Sequence, residues 1–258
     1  VTGEGYAPRG DVLENGVPVD LKRDAALRRL LQVAALCNNA RLVRAGEDGQ
    51  PRRAGRQAEA AEEWIMQGDP TEGALIVLAA KLGVTVSSLE GLYRREKEYP
   101  FDSERKRMSV LVSHQGGRIV CTKGAPDLLM EQCAYVLWDG NVVPFTPSLR
   151  QKAAEAAEKM AESALRVLGL AYRDLRPQDP TDSEADVEKQ LIFVGLAGMI
   201  DPPRREVRDA IATCRQAGIK TVMITGDHRL TAEAIASQLG ILPRGGRSLD
   251  GRQLEAMT

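Results

Sequence analysis

The chain has 258 residues, a formal net charge of −1, 28% charged residues and 43% hydrophobic ones. At about 100–200 residues per domain, that is one large domain or two smaller ones, with enough chain to bury a core. Near-neutral charge gives no global attraction to nucleic acid or to an anionic membrane, and 4% aromatic residues are few for a base-stacking platform. The longest apolar stretch, Leu191 to Ile200, is shorter than the ~18 residues a spanning helix needs. No basic-then-apolar leader opens the chain. It starts at Val1 rather than Met, so a processed product or a fragment is expected.

In chain order, Asp24 to Cys37 reads as an amphipathic helix, with Leu27, Leu30, Leu31 and Ala34 at helical spacing. Ala40 to Arg56 turns rich in Gly and Arg and is expected as an exposed loop. Thr71 to Leu82 is a second helix ended by Gly83, with Thr71 as its cap and Glu72 in its first turn. Ser87 to Tyr93 is a short third one. Arg107–His114 and Arg118–Thr122 then form a hairpin around Gln115-Gly116-Gly117. Tyr135–Trp138 and Val142–Phe145 form another around Asp139-Gly140-Asn141, where Asp-Gly tolerates positive φ. Thr146-Pro147 opens a long Ala/Glu/Lys helix to about Leu165. Arg166–Arg173 is a further strand, and Arg176–Lys189, with two prolines and five acidic residues, a solvated surface loop.

From Leu191 the pattern changes to strand (Leu191–Ile200), helix (Pro202–Ala217), strand (Lys220–Thr225) and helix (Leu230–Leu239). This alternation predicts parallel crossovers. The expected division is residues 1–196 and 197–258, the second piece being short for a whole doubly wound domain. Cys37, Cys121, Cys133 and Cys214 form no CxxC pair, and His114 and His228 are far apart, so no local metal signature is present. Scattered thiols suit a reducing compartment, and buried ones are expected.

Several short segments suggest chemistry. Thr122-Lys123-Gly124-Ala125-Pro126 puts a lysine on a turn before a helix start, a place that suits an anion, although the phosphate-loop spacing is absent. Phe101 to Met108 sets an aromatic ring before a basic loop, where the ring can stack on a base and Lys106 can hold a ring edge or a phosphate. Thr225-Gly226-Asp227 follows an apolar strand, at the end where open α/β sheets bind ligands. Taken singly, each has a plainer reading: an exposed lysine, a core phenylalanine beside a solvated loop, a helix-start carboxylate at Glu72, an Asp-capped turn.

Together, Gly68-Asp69-Pro70-Thr71-Glu72-Gly73-Ala74-Leu75, Phe101 to Val110, Lys123-Gly124-Ala125-Pro126, Arg166-Val167-Leu168-Gly169, Asp201-Pro202-Pro203-Arg204 and Thr225-Gly226-Asp227 occur in that order. In this ordered set the chain resembles the cytoplasmic part of P-type cation-transporting ATPases, from about Val1 to Ile241, and looks most like bacterial calcium pumps. The resemblance implies an α+β nucleotide-binding domain, a twisted antiparallel sheet flanked by helices, followed by part of a Rossmann-like, haloacid-dehalogenase-like phosphorylation domain.

It further implies that Phe101 stacks on adenine and that Glu72 reaches the adenine amino group. Lys106 and Lys123 would line the pocket, Gly124 would let the ring lie close to backbone, and Leu168 would be an apolar wall. Arg166 would approach the phosphates or ribose. Asp201 resembles the hinge between the domains, and Thr225, Gly226 and Asp227 the loop that meets the transferred phosphoryl group.

ATP and ADP are the implied ligands, with magnesium in the whole pump and the rest of the pump as partner, on the cytoplasmic side of a membrane. The family's D-K-T-G-T motif, with its acceptor aspartate, does not occur in this sequence, nor does the later T-G-D-G-x-N-D loop. No catalytic or metal-ligating residue is therefore assigned, and nucleotide binding without hydrolysis is expected. A soluble phosphatase of the dehalogenase superfamily would need its own D-x-D-type nucleophile, which Asp182-Ser183-Glu184 and Asp209-Ala210-Ile211 do not supply. A ligand-free interaction module is the other alternative, to be separated by nucleotide titration.

Overall fold

The computed structural model describes residues 1–3, 5–44, 64–200, 205–225, 229–243, 246–249 and 253. They divide into two compact units, Val1–Gln151 with Leu168–Ala197, and Lys152–Val167 with Gly198–Thr258.

The first unit opens with a small ribbon, β1 (Leu13–Glu14) against β2 (Val17–Pro18). Helix α1 (Ala25–Leu36) is capped by Asp24, whose carboxylate accepts from the Leu27 amide at 2.8 Å. It buries Leu31, Val33, Ala34 and Ala35. The stretch expected as a loop from Ala40 begins instead as strand β3 (Arg41–Arg44), paired antiparallel with β4 (Trp64–Gln67). The rest of that expected loop lies outside the described residues. Helix α2 (Pro70–Lys81) starts one residue earlier than expected, because Asp69 and not Thr71 is its cap. Asp69 Oδ1 accepts from the amides of Thr71 and Glu72 at 2.8 and 3.3 Å, and Pro70 fills the first helical position, where a missing N–H costs nothing. Helix α3 (Val86–Glu90) follows.

Seven strands make the main sheet: β5 (Arg94–Asp102), β6 (Arg107–His114), β7 (Gly117–Gly124), β8 (Cys133–Trp138), β9 (Asn141–Pro144), β10 (Arg166–Leu175) and β11 (Leu191–Met199). Their spatial order is β5-β6-β7-β10-β11-β8-β9. The pairs β5/β6, β6/β7, β7/β10 and β8/β9 are antiparallel, and β11/β8 is parallel. Both expected hairpins are present, the second turning on Asp139 and Gly140 at φ of 47° and 77°. β5 is an addition to the expected set. Its charged sequence and Pro100 suit an edge strand, whose outer side needs no ladder partner.

Alternation along β6 and β7 gives the sheet two faces. On one, Tyr99, Leu111, Val120, Leu175 and Val187 form a buried cluster. On the other lies α1, whose following residue Cys37 donates its thiol to the Met108 carbonyl at 3.4 Å. Burial raises the Cys37 thiol to about 11 and the Cys133 thiol to about 12, and pushes the Cys121 thiol up as well. Helix α4 (Pro126–Glu131) follows β7, and α5 (Pro147–Glu162) follows β9. Arg150 on α5 donates to the carbonyls of Met130, Cys133 and Phe145. The segment expected to be a wholly solvated loop before β11 contains a helical turn, α6 (Glu184–Val187), and buries Val187 and Glu188.

In the second unit, α7 (Arg205–Gln216) and α8 (Arg229–Gln238) form as expected. The strand expected over Lys220–Thr225 does not. No described strand pairs with it, and without a ladder the backbone N–H and C=O groups have no reason to hold an extended register. Val222 and Ile224 are accordingly 74% and 93% exposed.

Candidate functional site

The ladder registers bring one end of four strands to a common rung: Asp102 lies opposite Arg107, Arg107 opposite Gly124, and Gly124 opposite Gly169. Around that rung stand Phe101, Lys106, Lys123 and Leu168.

Lys123 is not on an exposed turn. It is the penultimate residue of β7, 7% exposed, on the sheet face that carries α1. Its Nζ donates to Glu72 Oε1 at 2.5 Å and to the Cys37 carbonyl at 2.7 Å. Glu72 sits in the first turn of α2, where the helix dipole favours a carboxylate. Its Oε2 accepts from the Asn39 amide at 3.0 Å. The pair is nearly closed to solvent, at 8% and 13% side-chain exposure, so each charge depends on the other.

Residues unforeseen in the sequence brace this pair. The Asn38 amide group bridges the carbonyls of Ala34 and Glu72. Asn39 donates to Glu98 Oε1 at 3.0 Å and accepts from Arg95 Nη2 at 2.7 Å. Arg95 in turn pairs with Glu98 at 2.7 Å. Nothing in the spacing of a polar strand and an Asn-Asn dipeptide marks them; they meet only because β5 runs along the sheet edge beside the end of α1.

Phe101 is 63% exposed, so it is not a core residue. A bulge aims it. Tyr99 lies opposite Ser109 and Asp102 opposite Arg107, three steps along β5 against two along β6. The extra residue shifts the alternation. Tyr99 and Asp102 thus share one face, and Phe101 is turned to the other, the face of Lys123.

The turn from β5 to β6 is tightly specified. Asp102 Oδ1 accepts from the amides of Glu104 and Arg105, both at 2.9 Å, and these bonds, Arg105 foremost, hold its carboxyl below the ordinary range. Lys106 has a φ of 48°, in the left-handed region that a non-glycine residue enters at a cost of about 1 kcal/mol. Its side chain is exposed, while its carbonyl accepts from the Ala125 amide at 2.9 Å. Gly124 is where this turn meets β7: a Cβ there would stand 2.5 Å from Arg107 Cβ and 2.6 Å from the Lys106 carbonyl oxygen. The bare backbone of Gly124 therefore admits the neighbouring chain.

Beneath the turn, Glu188 is 2% exposed. Its Oε1 meets Arg105 Nη1 at 2.5 Å and accepts from Ser109 Oγ at 2.7 Å, and its Oε2 meets Arg107 Nε at 2.6 Å. Ser109 also bonds Thr122 Oγ1 at 2.9 Å.

Leu168 is half-buried near the start of β10. Arg166 opens β10, is exposed and belongs to the second unit, as does Thr225, also exposed. Asp201, Gly226 and Asp227 lie outside the described residues. Among the described residues no group of three or more His, Cys, Asp or Glu side chains is placed to hold a metal ion. Among the same residues no helix is long and apolar enough to cross a membrane.

At the opposite end of the same strands, a groove of about 540 Å³ runs between α1 and β6, β7 and β10. Arg28, Arg29, Arg118 and His114 line it, with Asp174 as the carboxylate. Arg118 Nη2 donates to the carbonyls of Arg176, Pro177 and Asp179, and the Arg29 guanidinium lies 4.6 Å from the centre of the Tyr172 ring.

A family model described as P-type ATPase, cytoplasmic domain N, matches residues 26–206. The chain is 40% identical over 259 residues to the calcium-transporting ATPase of Bacillus subtilis, a match spanning 100% of this chain and 27% of that protein. It is 43% identical over 198 residues to calcium-transporting ATPase 1 of Lactococcus lactis, covering 77% of this chain and 22% of the relative. To an endoplasmic reticulum calcium ATPase of Aspergillus fumigatus it is 33% identical over 293 residues, covering 100% and 29%. The chain therefore spans about a quarter of the length of these relatives.

Proposed function

Because the chain belongs to the P-type ATPases, with residues 26–206 matching their cytoplasmic domain N, we propose that its first unit binds an adenine nucleotide, ATP or ADP, on the rung that joins β5, β6, β7 and β10. The observation that carries this reading is an exposed aromatic ring turned by a bulge to the face of a buried Lys123–Glu72 pair. Phe101 offers a free ring for stacking, a contact worth about 1–3 kcal/mol. Glu72 has remaining lone pairs for the adenine amino group, and it would face a carbonyl on guanine. Lys123 has a third N–H for a ring nitrogen. Lys106, exposed on the turn, is a cation for the ribose or phosphates, and Leu168 an apolar wall. The Lys123–Glu72 pair is internally neutral, which suits a base better than a phosphate.

Arg166 is in this proposal the group that approaches the phosphates or ribose, Asp201 the hinge, and Thr225, Gly226 and Asp227 the loop for the transferred phosphoryl group, with the domains dividing as 1–196 and 197–258. The wider role is the nucleotide-binding portion of an ATP-driven cation pump on the cytoplasmic side of a membrane, with the rest of that pump as its partner and magnesium entering with residues other than those described here. The relatives named as calcium transporters favour calcium as the cation. Neither a free phosphatase nor a ligand-free module is favoured by any residue.

Calorimetric titration with ADP, ATP and GTP tests the reading. ADP and ATP are expected to bind within about tenfold of each other, a difference below ~1.4 kcal/mol, with GTP weaker. Incubation with γ-labelled ATP is expected to leave no acid-stable label on the protein, since D-K-T-G-T is absent from it. Absence of any adenine-nucleotide binding would overturn the proposal.

A further inference from the structure

We infer that Glu188 is a positioning residue for nucleotide binding: from about 80 residues away in sequence, it holds the turn that presents Phe101 and Lys106. The inference rests on the nucleotide-binding reading above.

The turn has an internal reason to deviate. Lys106 sits at a φ of 48°, and the chain just before it bulges. Both features are unfavourable in isolation and persist where the surroundings over-determine them. Glu188 supplies that determination. It grips the residues on either side of Lys106, Arg105 and Arg107, one through each carboxylate oxygen. With its neighbours drawn inward, Lys106 is left facing solvent. Arg105 carries the grip further: its Nη2 donates to the Pro100 carbonyl at 2.7 Å, the residue before Phe101, and its carbonyl accepts from Arg107 Nη1 at 3.2 Å. Ser109 completes the set and ties the carboxylate to β7 through Thr122. The buried carboxylate is thus satisfied by donors from the two sides of one turn. A buried charge of this kind specifies geometry more than it adds stability. Glu188 lies on the opposite face of the sheet from Lys123, so it does not touch the base; it acts through Arg105 and the Pro100 carbonyl.

The test uses the full chain and ADP. Glu188→Gln keeps the shape and removes the charge that holds both arginines. It is expected to weaken ADP binding at least tenfold, and to speed amide exchange at Glu104, Arg105 and Lys106. In a Phe101→Ala background the same change is expected to cost less than threefold, because the ring it positions is gone; a merely structural defect would cost the same in both backgrounds. Arg105→Gln leaves Glu188 paired with Arg107 and Ser109. It is expected to weaken ADP binding several-fold with a smaller fall in melting temperature than Glu188→Gln, because the carboxylate keeps Arg107, and it decides alone if Glu188→Gln does not fold. A folded variant that binds ADP within twofold of wild type, or a full loss that persists without Phe101, overturns the inference. Failure of the wild-type chain to bind any adenine nucleotide would instead overturn the function on which it rests.

Discussion

The two ends of the β6, β7 and β10 strands both carry cations and spend them differently. At the Lys123 end, cation meets carboxylate out of water: Lys123 with Glu72, Arg105 and Arg107 with Glu188. At the groove end, Arg118 donates to three backbone carbonyls and Arg29 lies over an aromatic ring. Carbonyls and rings leave the charge in place, so the arginines of the groove end stay uncompensated by them, whereas at the Lys123 end three cations are held by two buried carboxylates. Buried pairs fix direction at the risk of a large loss when one partner goes; surface arginines are forgiving. The end that needs a defined geometry has the costly arrangement.

The comparison breaks first at Glu72. Glu72→Ala leaves Lys123 charged and buried, and is expected to destabilise the chain by about 3–5 kcal/mol, read from chemical denaturation. A loss near zero would mean that Lys123 escapes to solvent and that the two ends are alike. Phe101→Ala is expected to weaken adenine-nucleotide binding by about 1–3 kcal/mol while leaving the melting temperature nearly unchanged, because the ring is exposed. At the groove end, Arg29→Ala removes a cation–ring contact and is expected to cost only about 0.5–1 kcal/mol; nucleotide titration should not register it. The smallest effect concerns Asp102. Hydrogen bonds from Arg105 and Glu104 lower its carboxyl below the ordinary 3.8, so its contribution is complete above that value and is lost as the pH falls through the depressed one. Amide exchange at Glu104 and Arg105, corrected for its intrinsic pH dependence, should lose protection only under acid, and Asp102→Asn should abolish that pH dependence.

Sequence periodicity made the β6–β7 hairpin legible because its apolar alternation and Gly-Gly turn agree with each other. It made α1 and α2 legible for the same reason, apart from the cap, where Asp69 outcompetes Thr71 by reaching two amides at once. β5 was hidden because an edge strand can be as charged as a loop. Glu188 was hidden inside an acidic run, where its burial depends on arginines some 80 residues away. The burial of Lys123 was equally invisible, since a strand-ending lysine reads as exposed until α2 delivers Glu72 beside it. Over Lys220–Thr225 the error ran the other way: β-branched residues marked a strand, but a strand also needs a neighbour.

The bulge between Tyr99 and Asp102 also governs how this edge tolerates changes of length. Tyr99 is fixed by the buried cluster it joins, and Asp102 is fixed by the turn whose amides it holds. The side of Phe101 follows from Asp102, not from Tyr99. Pro100 lies where the two settings are reconciled, and as an edge-strand proline it owes no ladder bond on its outer side. A residue gained or lost at Pro100 is therefore absorbed on the spot, turning the bulge into a larger one or into plain ladder while Tyr99 and Phe101 keep their sides. The same change between Val110 and Val112, in the middle of a strand paired on both edges, would turn every later side chain over to the wrong face.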